Sequence, residues 1–400
     1  MNSSFNWRKP ILHDHSDNQH DHKATWLELF YDLVFVVAIA ELTHRLSLSI
    51  TWRSFGIFVF LFIPIWWNWI SVTFYNDRFE TGDISQRLFT FLHMIAIGTI
   101  AFQIHKGVIN NSNGFALAYI FCRVIIVIMW LRAKIHNPEI KNTINKYLAG
   151  FSISILLWTI SLWVDFPWKF ILWSIALLIE LITPLTTLKE QSQNKMLQRS
   201  PHLPERFGLF MIIVLGESVV GIFHGLNDLS YFNINSVITA LLGATFAFMI
   251  WWLYFDFINP RPIKKGPYHV ATWAYAHFPL IISISALGAS LLKLIQLNGG
   301  IIPINIIWLL CGSLALALVS IGVLENTLAT YKNRLCSTPT GKIIRYGGAL
   351  ICLCLPFFSS LHIAWRILGI LIIVVVSQIV HSESSICHVH HENVLNDLNQ

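Results

Sequence analysis

Residues 304–328 read INIIWLLCGSLALALVSIGVLENTL, and the first formal charge in that run is Glu325. A helix crosses the hydrocarbon core of a bilayer with about 20 apolar residues. This stretch alone therefore points to a membrane span. Eleven more stretches of the same kind lie at 26–46, 53–74, 86–105, 114–132, 147–164, 168–188, 206–225, 236–257, 269–293, 343–360 and 362–380. They are continuous and do not alternate, which favours helices over a closed barrel. Pro356 and the link at 357–362 mark the weakest boundary, where the last two stretches read either as separate spans or as one kinked segment.

Composition agrees. The chain has 400 residues, is 55% hydrophobic and carries only 12% charged residues, about half the usual soluble fraction. Mean hydropathy is +0.60. So few charges cannot clothe a soluble enzyme, and nothing suggests disorder, collagen or a disulfide-rich secreted module. The expected fold is all-α: a polytopic membrane bundle of about 12 spans.

Charge sets the expected orientation. Twenty of the 27 Lys and Arg fall in the N-terminal tail, in the loops after even-numbered spans, or at the helix ends beside them. Six fall on the other side, and Arg123 lies within a span. Positive charge marks the cytoplasmic side, so both termini are expected on the cytoplasmic side of the inner membrane. The net charge of +6 then reads as contact with an anionic leaflet, not as a nucleic-acid surface. The polar first 25 residues show no cleavable signal. Cys122, Cys311, Cys336, Cys352, Cys354 and Cys387 have neither zinc nor disulfide spacing. The histidines near both termini, among them His13, His15, His388 and His390, lack the spacing of a structural metal site. No metal or other cofactor is expected.

The chain reads as two repeats. Glu28 and Glu41 on the first span match Glu205 and Glu217 on the seventh. Trp66-Trp67 matches Trp251-Trp252, and His93 matches His277, at nearly constant offset. The expected organisation is a cytoplasmic tail at 1–25, a six-helix repeat at 26–188, a linker at 189–205, a second six-helix repeat at 206–380 and a tail at 381–400. An even number of spans per repeat gives both halves the same orientation, a parallel 6+6 arrangement.

Ionisable groups at membrane depth mark functional candidates. Glu28 and Asp32 share one helix face, being four residues apart, whereas Glu41 lies on roughly the opposite face. The plain reading of Glu28 is a carboxylate at the helix N-terminus. Glu217 sits mid-span among small residues. Glu180 precedes Pro184 by four. Arg123 needs an acidic partner, with Asp32, Glu180 and Glu217 as candidates, and the plain reading is an ion pair that only joins helices. His93 and His277 are either proton carriers or satisfied neutral side chains. Asp256 and Glu325 lie toward inner helix ends, where they could pair with Arg261, Lys264 and Lys265. The candidates for an ion or solute path are thus Glu41, Glu217, Asp32, Glu180, Arg123, His93 and His277. Glu28, Asp256 and Glu325 are the interfacial ones. Asn68, Trp66, Trp67, Trp69, Trp251 and Trp252 form polar-aromatic stripes. No Walker loop, dinucleotide fingerprint or metalloprotease signature is present, and Ser218 in its long apolar helix is no nucleophile elbow.

Two stretches carry a family resemblance. Trp26-Leu27-Glu28-Leu29-Phe30-Tyr31-Asp32-Leu33-Val34-Phe35-Val36, with Glu41-Leu42 after it, resembles the opening signature of the bacterial low temperature requirement protein A family. Glu205-Arg206-Phe207-Gly208-Leu209 through Leu215-Gly216-Glu217-Ser218-Val219 resembles its second signature. Trp251 to Asp256 and Ala276 to Leu280 are similar to two further places, and the resemblance covers roughly 25 to 380. It implies a membrane protein tied to growth in the cold. It brings no ligand with it. Phe30-Tyr31-Asp32 is also similar to the Phe-Ser-Asp of certain potassium channels, with Tyr31 replacing Ser and Phe207-Gly208-Leu209 lacking the Asp.

Three functions fit these readings. The first is a transporter or channel for a small solute or ion, coupled to a cation or proton, with Glu41 and Glu217 as central carboxylates. The second is a membrane scaffold or stress-response protein. The third is a lipid-modifying membrane enzyme working near Glu28 and Asp256. Catalysis is the less favoured class. The expected partners are the bilayer and a small ion or solute.

Overall fold

The computed structural model describes residues 9–10, 12, 25–79, 81–194, 203–229, 233–329, 339–358 and 363–398, with side chains of 339–340 and 384–398 left aside. His13, His15 and Cys336 fall outside the described residues, and Cys387, His388 and His390 lie where side chains are left aside. The chain is all-helical. Its helices are α1 (Trp26–Leu48), α2 (Trp52–Phe79), α3 (Ile84–Lys106), α4 (Ser112–His136), α5 (Lys141–Ile160), α6 (Trp168–Ile182), the short α7 (Leu188–Gln193), α8 (Leu203–Asn227), α9 (Ile234–Phe257), α10 (Pro267–Gln296), α11 (Ile304–Thr327), α12 (Pro339–Cys354) and α13 (Ala364–Leu398).

Among the described residues, ten helices are long and apolar enough to cross a membrane. The sequence suggests twelve stretches, and α1 and α12 make the difference. Glu28, Asp32, Glu41 and Arg45 load the 23 residues of α1 with charge, and α12 has only 16 residues. The last two stretches are separate helices: a 3-10 turn at Leu355–Phe357 follows α12, and α13 starts afresh at Ala364. They run antiparallel, since Arg345 reaches Gln378 and Ser382 while Gly348 abuts Val374.

The helices form two compact units, residues 1–42 with 59–206 and residues 43–58 with 207–400. In the first, α3, α4, α5 and α6 pack in sequence order. Trp158 and Trp173 stack at 4.6 Å, and Tyr119 lies 4.4 Å from Trp158. In the second, α11 packs on α10 and α12, and α13 on α9. Every residue of α10 from Leu280 to Leu292 is buried, as expected of a helix that is apolar all round. α10 stops at Asn298 and Gly299, both at positive φ, a conformation Asn and Gly adopt at helix ends. Ser218, Gly221 and Gly225 bring α8 against α10: a Cβ on Gly288 would lie 3.1 Å from the Ser218 Cα, and one on Gly225 would lie 3.0 Å from the Leu292 carbonyl. Small residues permit that approach.

Helix starts follow local chemistry. Asp83 caps α3: its Oδ1 accepts the Gln86 backbone N–H at 3.1 Å, and its Oδ2 accepts the Ser85 hydroxyl at 2.6 Å. Gln86 reaches back to accept the N–H groups of Thr81 and Gly82 at 3.0 and 2.7 Å, the reciprocal arrangement of a capping box. Asp83→Ala should cost about 1–2 kcal/mol, and Asp83→Asn clearly less. The unfolding midpoints of the purified variants in detergent, at one scan rate, check this.

Candidate functional site

In the first unit, Glu28, Asp32, Arg123 and Glu180 fall into two buried clusters. One is closed. Arg123 on α4 and Glu180 on α6 are both fully buried. Arg123 Nε donates to Glu180 Oε1 at 3.0 Å, and its Nη2 lies 2.9 Å from Oε2. Tyr119 donates to Oε2 at 2.6 Å and Ser154 to Oε1 at 2.5 Å. Arg123 Nη1 donates to the Ser71 hydroxyl at 3.2 Å and comes within 3.5 Å of the Asn68 amide oxygen. The guanidinium also lies 4.6 Å from the Phe151 ring. One positive charge meets one negative, and both carboxylate oxygens are engaged. Of the three partners the sequence allowed for Arg123, the structure selects Glu180.

The other cluster is open. Thr25 caps α1, with its backbone N–H and hydroxyl both donating to Glu28 Oε2, while the Glu28 N–H donates back to the Thr25 hydroxyl. That is the N-terminal role read for Glu28. The carboxylate has a second task, because its Oε1 pairs with Arg206 at the start of α8. One turn along α1, Asp32 Oδ1 accepts from Arg206 Nη2 at 3.0 Å and from the Trp69 indole N–H at 2.8 Å. Asp32 is 0% exposed, and its Oδ2 has no hydrogen-bond partner among the described residues; neither has Arg206 Nε. Two carboxylates therefore share one guanidinium, leaving an excess negative charge, an unused acceptor and an unused donor in a buried place. Beside it, the Tyr31 hydroxyl meets His93 Nδ1 at 3.1 Å, and the buried His93 Nε2 has no partner among the described residues.

The remaining candidates stand apart from this cluster. Glu41 is partly exposed and meets His105 Nδ1 at 3.0 Å. In the second unit, Glu217 is half-buried, while the Ser218 hydroxyl donates across to the Ile284 carbonyl at 3.2 Å. His277 is buried, with Nδ1 at 2.8 Å from the Trp273 carbonyl and Nε2 at 2.9 Å from the Tyr254 hydroxyl. A carbonyl can only accept, so Nδ1 donates to it, while Nε2 and the Tyr254 hydroxyl bond each other. Both ring nitrogens of His277 are thus engaged. Asp256 is exposed. Glu325 does not pair with the loop cations suggested by sequence. It takes Arg345 at 2.7 and 3.2 Å, because Lys264 is turned onto the Asn326 carbonyl at 2.8 Å and Arg261 onto that of Ala329.

Arg206 is the candidate the sequence reading passed over, while Trp69, read there only as part of a polar-aromatic stripe, holds the same carboxylate oxygen. A signal existed for Arg206. A cation in the first turn of a helix opposes the helix dipole, so an arginine there in an apolar chain needs a carboxylate from elsewhere.

The two stretches that carry the family resemblance meet at this open cluster through Glu28, Asp32 and Arg206. Residues 23–380 match the bacterial low temperature requirement A protein (LtrA) family. The chain belongs to that family. It is also 28% identical over 279 residues to the uncharacterized protein RA0937 of Rhizobium meliloti (strain 1021), an alignment covering 66% of this chain and 68% of the relative. Membership and the ten long apolar helices together make this member of the LtrA family a polytopic membrane protein.

Proposed function

We propose that this protein is an inner-membrane transporter or channel for a small cation or proton-coupled solute, with Asp32 as its working carboxylate. The observation that carries the reading is the charge count at Glu28, Asp32 and Arg206. A buried carboxylate oxygen without a partner is costly in a low-dielectric setting. A proton or small cation on Asp32 Oδ2 cancels the excess charge and uses the open acceptor. Arg206 and the Trp69 N–H hold the other oxygen and fix the carboxylate's direction. The closed Arg123–Glu180 cluster serves as a brace. Glu41, Glu217, His93 and His277 remain candidate path groups, and His93 is the one beside the open cluster.

In the same reading the chain spans the membrane twelve times, with both termini in the cytoplasm and two parallel six-helix repeats. The one-sided Lys and Arg and the matched Trp and His positions support this. The test is flux of K⁺, Na⁺ and H⁺ in proteoliposomes across a range of pH, comparing the protein, Asp32→Asn and empty vesicles. Wild-type flux that is lost in a folded, monodisperse Asp32→Asn protein is the expected result. Equal flux in both removes Asp32 from the mechanism. Absence of flux from folded wild-type protein turns the reading toward a scaffold whose buried charges are structural.

A further inference from the structure

The second unit contains a cavity of about 280 Å³ that the transport reading does not use, bordered by the start of α2, α10, α11 and α12. Phe55, Trp308, Leu316 and Leu353 make its walls largely apolar. Four polar side chains line the wall, Thr51, Ser283, Asn305 and Ser313, and the first three are already engaged. The Ser283 hydroxyl donates to the Leu280 carbonyl at 2.7 Å, the Asn305 amide to the Ile50 carbonyl, and Thr51 Oγ1 lies 2.8 Å from the Ser54 hydroxyl. A polar solute would find few open partners there.

The rim faces outward. Trp52 is 72% exposed and Phe357 75%, and Trp308 lies between them, with ring centroids 6.4 and 5.4 Å away. Tryptophan concentrates where a bilayer meets water, and large apolar groups exposed on a membrane-spanning unit face lipid. An unfilled apolar cavity forfeits dispersion contacts along its walls and stays dry. Hydrocarbon from the adjoining leaflet is the nearest material to fill it. We propose that this cavity is a lateral binding site for one acyl chain of a bilayer phospholipid, the headgroup resting at the Trp52–Trp308 rim.

Gly312 gives the means of testing it. It lines the cavity, and a Cβ added there meets nothing within 4 Å, so a leucine side chain has room to occupy the space. Gly98 on α3 is also open to a Cβ but lies in the other unit, and Gly98→Leu serves as the control. The full chain is reconstituted in phosphatidylethanolamine–phosphatidylglycerol vesicles containing a phosphatidylethanolamine with a photoreactive diazirine at the acyl terminus. Labelled positions are then mapped by peptide mass spectrometry. A parallel arm uses a diazirine fatty acid with no headgroup. Phospholipid label should concentrate on α11 around Leu309 to Leu316 and on Leu353. It should fall about tenfold in Gly312→Leu, equivalent to losing one strong contact, and stay unchanged in Gly98→Leu. Label spread evenly over the lipid-facing helices, or undiminished in Gly312→Leu, overturns the proposal. Label from the fatty-acid probe alone overturns the phospholipid assignment. Should Gly312→Leu not fold, the wild-type map decides, because absence of label at these positions is itself fatal.

Discussion

Exchange of Arg123 for methionine should destabilise the protein by about 3–5 kcal/mol, the usual cost of removing one partner of a buried ion pair. The reason lies in what is left behind. Glu180 would keep its Tyr119 and Ser154 hydrogen bonds, yet its charge would have no counterion in a fully buried site. Adding Glu180→Gln removes that charge and retains a carbonyl acceptor for the two hydroxyls. The double variant should therefore be more stable than Arg123→Met alone, by a coupling of roughly 1–3 kcal/mol. Unfolding midpoints of Arg123→Met, Glu180→Gln and the double variant, compared with wild type in one detergent at one scan rate, measure this. Strict additivity would mean that the pair is not coupled.

Arg206→Gln should have a comparable effect for the same reason of sign, with two carboxylates left in place of one. It leaves Glu28 and Asp32 as two carboxylates one turn apart with no cation between them, a cost on the order of 2–5 kcal/mol. Asp32→Asn in the Arg206→Gln background should restore part of the loss. By itself, Asp32→Asn should be tolerated, since Arg206 then faces Glu28 in a neutral pair. This asymmetry separates the open cluster from the closed one: at Arg123–Glu180 either single change leaves a charge unpaired, whereas at the open cluster only the arginine change does. The measurement is the same set of midpoints. A strongly unstable Asp32→Asn protein would mean that a cation already balances the site.

Much of the architecture was legible because membrane helices announce themselves through length and charge. Spans such as 304–328 contain almost no ionisable side chain, and lipid leaves the backbone few alternatives to a helix. The helix with the most buried charge was the hardest to classify: α1 carries the carboxylates that mark it as a candidate and for that reason falls short of a simple span. Site residues were legible one by one, since Asp32, Glu180 and Arg123 stand out in apolar runs. Their pairings were not, because Arg123 and Glu180 are 57 positions apart and nothing local encodes which carboxylate a guanidinium meets. Glu325 shows the same limit. Its sequence neighbourhood offered Arg261 and the loop lysines, while helix packing delivered Arg345. His277 was open between proton carrier and bonded neutral side chain, and its partners, the Trp273 carbonyl and, across helices, the Tyr254 hydroxyl, are named only by the structure.

The link between α1 and Arg206 has a bearing on how the protein is made. α1 emerges before α8 during synthesis, and the guanidinium that pairs with its carboxylates is encoded 174 positions after Asp32. At about 5–20 residues per second, roughly ten to thirty-five seconds of translation separate the two. Throughout that interval Glu28 and Asp32 must be protonated, held near the aqueous boundary or sheltered by the insertion machinery. The carboxylates of α1 therefore meet their guanidinium only after α8 has arrived.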